Sequence, residues 1–182
     1  MIKVYLSNRP ALAGFDAMDG LSGLQKGDIE KIVKGTGNHW RKVFNVYAKF
    51  MFALAVRVES TKIAGFSSWQ QYRDALLLQQ ADETALLFYP HEQHKREHLM
   101  SSLTKIETGN LRIIMGKSFS SELFDSSSIH WFDNDFAFDS RADLWVCPYF
   151  DYRQLSNLKI ERFIGLIIDQ YDKDSINKYL SK

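Results

Sequence analysis

The chain has little cysteine and no excess of charge of either sign. Cys147 is its single cysteine, which excludes a disulfide within the 182 residues and a zinc cluster built on cysteines. Its place in an apolar segment indicates a packing role. Lys and Arg total 23 against 22 Asp and Glu, so the net charge gives no support for a surface dedicated to nucleic acid, although a local basic patch stays compatible with it.

Long apolar runs are also missing. The longest, residues 50–56 between Lys49 and Arg57, is far short of the roughly 20 residues that a membrane crossing needs. Residues 1–7 alternate like a strand and lack the features of a secretory signal. We therefore expect a cytoplasmic protein, and the length and composition predict one globular domain over residues 1–182.

Two common catalytic motifs are not found. Gly116, Lys117 and Ser118 follow a predicted strand and are similar to the end of a phosphate-binding P-loop, but that motif needs glycine at position 111, where Leu111 stands. Nucleotide hydrolysis is therefore not expected, although backbone amides at Ser118 suit a single anion. We also expect no bound cofactor. The sequence also has no glycine-framed nucleophile and no recognisable arrangement of serine, histidine and acid.

Five segments predict strands. Residues 1–7 alternate between apolar and polar side chains, whereas 84–89 and 111–115 are nearly continuous apolar runs, typical of strands covered on both faces. Residues 129–132 and 143–147 predict two more strands. The acidic stretch 133–139 between them predicts a turn or an edge hairpin.

Helices are predicted between these strands. The strongest pattern follows Asn38, a predicted cap, and consists of apolar residues three and four positions apart: Trp40, Val43, Phe44, Tyr47, Met51, Leu54, Ala55 and Val58. Other patterns predict helices at about 28–34, from a Ser67 or Ser68 cap to near Gln80, through Leu99 to near Gly109, over 118–124, over 160–171, and from Asp174. Alternating strands and helices predict an α/β fold, specifically a three-layer α/β/α arrangement around a mainly parallel sheet of four or five strands.

Polar and aromatic residues follow two of the strands at their carboxyl ends, where open α/β sheets bind ligands. Our candidate binding residues come from the loop after the first strand, the turn at 117–118 and the loop after the last strand: Asn8, Arg9, Pro10, Lys117, Ser118, Tyr149, Asp151, Tyr152, Arg153 and Asn157. An alternative is structural, with Asp151 and Arg153 pairing with each other and Ser156 or Asn157 capping the next helix. Catalytic residues are not assigned.

His91, His94 and His98 share one side of a predicted helix. His91 and His98 are about 10 Å apart along such a helix, too far to bind one ion. At most one neighbouring pair could bind a metal, and a solvated face is the favoured interpretation.

The order of these parts resembles the uracil-DNA glycosylase-like superfamily, over most of the chain and best at 99–124 and 144–157. The resemblance implies a pocket between the first and last loops, with Asn8 as a polar contact, and implies a DNA glycosylase-like hydrolase if the protein is an enzyme. Three departures fall on catalytic positions: Ser7 replaces a glycine, Arg9 precedes Pro10 where Asp or Asn is usual, and Pro148, Tyr149 and Phe150 replace histidine, proline and serine. We also expect membership of an uncharacterised bacterial family.

Two functional hypotheses follow. The first is a domain that binds a nucleobase, a nucleotide or a single-stranded nucleic-acid end between the loops at Asn8 and Arg153, with or without chemistry. The second is a non-enzymatic protein that docks a protein partner or a second copy through an aromatic surface: Trp131, Phe132, Phe136 and Phe138.

Overall fold

A computed structural model describes residues 1–123 and 129–180 of the protein. Its described residues form one mixed sheet in the order β2-β3-β1-β4-β7-β6-β5. The strands are β1 (Ile2–Leu6), β2 (Gly20–Leu21), β3 (Thr84–Phe88), β4 (Leu111–Met115), β5 (His130–Trp131), β6 (Ala137–Asp139) and β7 (Leu144–Cys147).

Four central strands are parallel. β1 pairs with β3 on one side, Ile2 opposite Thr84, and with β4 on the other, Ile2 opposite Leu111. β4 pairs in turn with β7. The remaining pairs are antiparallel. The prediction of an α/β fold with parallel strands is therefore confirmed, while the strand number of four or five is too low.

The short strands β2, β5 and β6 lie towards the sheet edges, and β5 falls within the strand predicted at 129–132. β2 pairs with β3, and a β-carbon added to Gly20 would stand 2.6 Å from the Leu86 carbonyl oxygen, so this close approach requires glycine. β5 and β6 form a hairpin, in which the Asp133 carboxylate accepts from the backbone N–H groups of Asp135 and Phe136. The edge-hairpin prediction for 133–139 is therefore confirmed.

Seven α-helices connect and follow the described strands. They are α1 (Asp28–Thr36), α2 (Asn38–Arg57), α3 (Trp69–Ala75), α4 (Gln93–Leu103), α5 (Lys117–Leu123), α6 (Asn157–Gln170) and α7 (Lys173–Leu180), with a short 3-10 turn at Thr61–Ile63. Phe124, the last residue of one predicted helix, lies outside the described residues.

Alternate residues of the strands enter two separate hydrophobic clusters. Val4 and Ile113 belong to the larger one, together with buried residues of α1, α2, α3, α6 and α7. Tyr5 and Ile114 belong to the smaller one, together with residues of α4 and α5. Because neighbouring strand residues point to opposite faces, the sheet carries an apolar cluster on each face.

The predicted helix caps have mixed outcomes. Asn38 does not cap α2, because Gly37 precedes the helix and the Asn38 Oδ1 atom accepts instead from the Arg41 guanidinium. Ser68 caps α3, with its hydroxyl accepting from the Gln71 N–H, as predicted. The Ser156 hydroxyl accepts likewise from the Lys159 N–H at the start of α6.

Helix α4 ends six residues before the predicted end at Gly109, and a buried cation explains why. Arg112 of β4 is fully buried and donates to the carbonyl oxygens of Ser102 at 3.2 Å, Lys105 at 2.7 Å, and Ala142. The guanidinium thus satisfies the Lys105 carbonyl just beyond α4 and shares the Ser102 carbonyl with the Lys105 N–H, so the helix end has donors without further helical turns. It also holds the loop after β6.

We expect Arg112→Met to lower the free energy of unfolding by about 2–4 kcal/mol, because the buried Ala142 carbonyl and the part-buried Lys105 carbonyl lose the guanidinium as their donor. The Ser102 carbonyl still accepts from the Lys105 N–H. Urea unfolding followed by circular dichroism measures this change. The control is Arg141→Met, since Arg141 lies largely exposed in the adjoining loop, and a change within about 0.5 kcal/mol is expected there. Equal effects of the two substitutions would contradict the role given to Arg112.

Candidate functional site

A cleft opens where the parallel strands end. The chain leaves β1 towards β3 on one side and later returns to β4 on the other, so the β1 and β4 ends flank a topological switch point, the usual ligand position in such sheets. The cleft has a volume of about 420 Å³, within the range of small-molecule sites. Its described lining consists of Ser7, Asn8, His39, Met115, Gly116, Lys117, Ser118, Phe119, Tyr149 and Gln154.

The turn from β4 into α5 brings backbone into this cleft. Gly116 has φ of +108°, a conformation that favours glycine. Its N–H donates to the Cys147 carbonyl oxygen at 2.8 Å, which ties the end of β4 to the end of β7. The turn places Lys117 and Ser118 at the cleft with exposed side chains.

Three side chains from three different elements meet at the Tyr149 hydroxyl. The Asn8 amide donates to Tyr149 Oη at 3.5 Å, and His39 Nε2 lies 2.9 Å from the same oxygen. The His39 and Tyr149 rings are tilted by 31° with centroids 5.5 Å apart. Burial is the main cause that raises the pKa of Tyr149, so the phenol keeps its proton at neutral pH.

An ion pair fixes the Tyr149 loop against helix α2, which also carries His39. Lys42 Nζ donates to Asp151 Oδ2 at 2.8 Å, and the same ammonium lies 5.0 Å from the centre of the Tyr152 ring. This contact sets the distance between the two sides of the cleft. The alternative pairing of Asp151 with the Arg153 side chain is not what the structure shows, since Asp151 accepts from Lys42 and from the Arg153 backbone N–H.

Arg9 and Pro10 do not line the cleft. The Arg9 guanidinium donates to the carbonyl oxygens of Tyr89 at 2.9 Å and Asp16 at 3.2 Å, and it lies over the Phe88 ring. Pro10 is buried. Arg9 therefore anchors the loop after β1 to the end of β3.

The later part of the last loop also lies outside the cleft lining. Tyr152 and Arg153 are exposed. The Asn157 Oδ1 atom accepts from Lys49 Nζ at 3.2 Å and borders a different cavity beside Trp69. Of the ten candidate residues, the structure brings Asn8, Lys117, Ser118 and Tyr149 together in one cleft.

A family comparison matches residues 1–168 of the chain. The chain belongs to the family of unknown function DUF6942. Searches of curated proteins and of solved structures returned no match. Family membership therefore assigns no activity, and the function has to be argued from the cleft.

Six described lining residues are outside the predicted candidate set: Ser7, His39, Met115, Gly116, Phe119 and Gln154. His39 enters the cleft because the first turn of α2 lies beside the Tyr149 loop, and Gln154 because the loop turns back through hydrogen bonds from the backbone N–H groups of Gln154 and Leu155 to the Asp151 carbonyl. A histidine two residues after Gly37, in the first turn of a long predicted helix, was the available signal for His39.

The three histidines do not all lie on one helix, and part of the predicted aromatic surface is buried. His91 lies before α4, whereas His94 and His98 lie within it, and no group of three metal-ligating residues is found among residues 1–123 and 129–180. Phe136 and Phe138 are buried in the core and unavailable to a partner.

In the described part of the chain, no helix combines the length and apolar character that a bilayer crossing needs.

The Lys42 and Asp151 pair predicts a pH-dependent stability. The hydrogen bond from Lys42, followed by that from the Arg153 N–H, lowers the pKa of Asp151. A carboxyl with a depressed folded-state pKa stabilises the protein above its unfolded pKa, near 3.9, and this contribution is lost as the pH falls through the folded pKa.

We expect Asp151→Asn to lower the free energy of unfolding by about 0.5–1 kcal/mol at neutral pH. The difference from wild type should shrink as the pH falls and vanish below the folded pKa of Asp151. Urea unfolding at a series of pH values measures it, with the exposed Asp169→Asn as control. A difference independent of pH would contradict the ion-pair interpretation.

Proposed function

We propose that the cleft at the β1 and β4 ends binds a nucleobase, free or as part of a nucleotide or a single-stranded nucleic-acid end. The proposal includes a three-layer α/β/α fold of the uracil-DNA glycosylase-like arrangement. It does not include base excision, because Ser7, Arg9 and the sequence from Pro148 to Phe150 depart from the catalytic residues that the resemblance implies. The protein is then a binding domain rather than a hydrolase.

The convergence of Asn8, His39 and Tyr149 is the observation that carries the proposal. These groups come from the β1 loop, α2 and the β7 loop, and they meet within 3.5 Å of one hydroxyl at the switch point of the sheet. An amide, an imidazole and a phenol each offer both a donor and an acceptor. A nucleobase edge presents the same alternation, so it can replace the contacts that these groups make with one another.

Shape and charge support the same class of ligand. The Tyr149 ring and the buried Phe119 ring give the cleft aromatic walls, on which a planar base stacks. Lys117 brings a positive charge to the lining, although its ammonium also lies 4.4 Å from the centre of the Trp131 ring. Nearby Ser118 adds a hydroxyl donor, so a phosphate attached to the base has partners at the β4 turn.

Calorimetric titration at low salt with uracil, uridine monophosphate and a short oligothymidylate tests the proposal. Asn8→Ala is expected to weaken binding of all three ligands about tenfold, since it removes one hydrogen bond to the base. Lys117→Ala should weaken the two phosphate-bearing ligands and leave uracil unchanged. The salt dependence of oligothymidylate binding should fall in the same variant.

The matched controls are Lys26→Ala and Arg153→Ala, both at exposed positions outside the cleft. Neither should change the affinity for uracil. Absence of binding by all three ligands at millimolar concentration would overturn the proposal, as would binding that Asn8→Ala leaves unchanged. In either case the second hypothesis, an interaction protein, is tested next by light scattering.

A further inference from the structure

A second cavity lies on the sheet face that carries α4, and it shares no lining residue with the cleft. It has a volume of about 590 Å³ and is lined by Tyr5, Asp19, Leu87, Phe88, Pro90, His94, Lys95, His98, Leu99 and Ser102. We call it the α4 groove. Side chains of β1 and β3 form one side of the groove and one face of α4 forms the other. The packing of α4 on the sheet therefore determines its shape.

The floor of the groove carries a polar atom without a protein partner. Tyr5 is only 5% exposed and lines the groove, and among residues 1–123 and 129–180 its hydroxyl has no protein hydrogen-bond partner. The hydroxyl is not one of the fully enclosed polar atoms, so it is accessible from the groove and can pair there with a ligand. Burial raises the pKa of Tyr5 to about 12, so this hydroxyl stays protonated and offers a hydrogen-bond donor.

The rim of the groove is rich in donors. His94 and His98 are one helical turn apart on α4, so both imidazoles border the same side. An imidazole carries at least one N–H donor in every protonation state. Lys95 adds an ammonium group, and its contact with Asp19 at 3.3 Å occupies the carboxylate at the rim. Acceptor groups on a ligand therefore find partners here.

The walls are apolar. Leu87 and Leu99 are only partly buried although they pack against the smaller hydrophobic cluster. Apolar surface left in a concavity of this size is typical of a small-molecule site. An apolar body between these walls removes that surface from water, which favours binding.

We propose that the α4 groove binds a small apolar carboxylic acid, with its hydrocarbon or aromatic body between Leu87 and Leu99 and its carboxylate among Tyr5, His94 and His98. Metal binding by the two histidines is the competing use of the same residues. It lacks a third ligand among the described residues, whereas the carboxylate uses the donors of the floor and the rim together.

The test uses 1-naphthoate as the probe and 1-naphthalenemethanol as an uncharged molecule of the same shape, both titrated calorimetrically. Naphthoate is expected to bind at least about tenfold more tightly than the alcohol, since the alcohol loses charge-assisted hydrogen bonds. Tyr5→Phe and the double substitution His94→Ala with His98→Ala should each remove most of this preference.

Two tryptophan variants separate the groove from other binding surfaces. Ser102 borders the groove and Ser101 does not, and both are exposed on α4, so Ser102→Trp and Ser101→Trp place the same bulk on the same helix. Ser102→Trp should weaken naphthoate binding about tenfold or more, and Ser101→Trp should leave it unchanged. Thermal unfolding confirms that both variants fold.

Several results would overturn the proposal. They are no naphthoate binding at millimolar concentration, equal affinity for naphthoate and the alcohol, or equal effects of the two tryptophan variants. Saturable zinc binding that the double histidine variant abolishes, without any naphthoate binding, would assign the residues to a metal. Asn8→Ala leaves the groove intact, so failure of the nucleobase proposal is distinguishable from failure of this one.

Discussion

Parallel pairing of β1 with both β3 and β4 is the constraint on which the rest of the structure depends. A strand with parallel neighbours on both sides needs crossover connections, and these cover the sheet faces. The connection from β1 to β3 contains α1, α2 and α3, and the connection from β3 to β4 contains α4. The reversal between these two connections at β1 creates the gap in which the cleft lies.

A few long polar side chains then fix the segments that the sheet alone leaves loose. Arg9 ties the β1 loop to carbonyl groups around the end of β3, and Lys42 holds the loop of Asp151 against α2. Arg112 does the same at the opposite end of β4, where it closes the last turn of α4. The contacts of Arg9 with Tyr89 and of Lys42 with Asp151 join residues that are distant in the chain.

The main elements could be predicted because local patterns determine them. The buried strands are short apolar runs ended by Gly116, Pro90 or Pro148, and α2 has an unbroken helical period. β2 could not be predicted, because two residues carry no period and their pairing depends on the fit of Gly20 beside β3. The extension of α4 was predicted from an apolar stripe that includes Ile106, which is 60% exposed after the helix has ended.

The part of the candidate site that lies at the strand ends could be predicted, because the order of strands and helices determines where those ends meet. Strand ends were recognisable, so Asn8, Lys117, Ser118 and Tyr149 were found, but sequence does not show which way a loop side chain points. Arg9 turned towards backbone carbonyls and Asp151 towards Lys42 because these partners lie on other elements. His39 was missed for the related reason that its place in the cleft depends on where α2 packs.

The α4 groove follows from the same constraint that gives the cleft. A parallel sheet needs apolar cover on both faces, yet α4 leaves Leu87 of β3 and the Tyr5 hydroxyl of β1 facing a cavity. The other face is closed by five helices, including the long α2. Because the groove is bounded by α4 and the cleft by α2 and the strand-end loops, their linings can change independently of each other. One fold thus presents two chemically different concavities, an aromatic and polar one at the strand ends and an apolar one with a donor-rich rim on the sheet face.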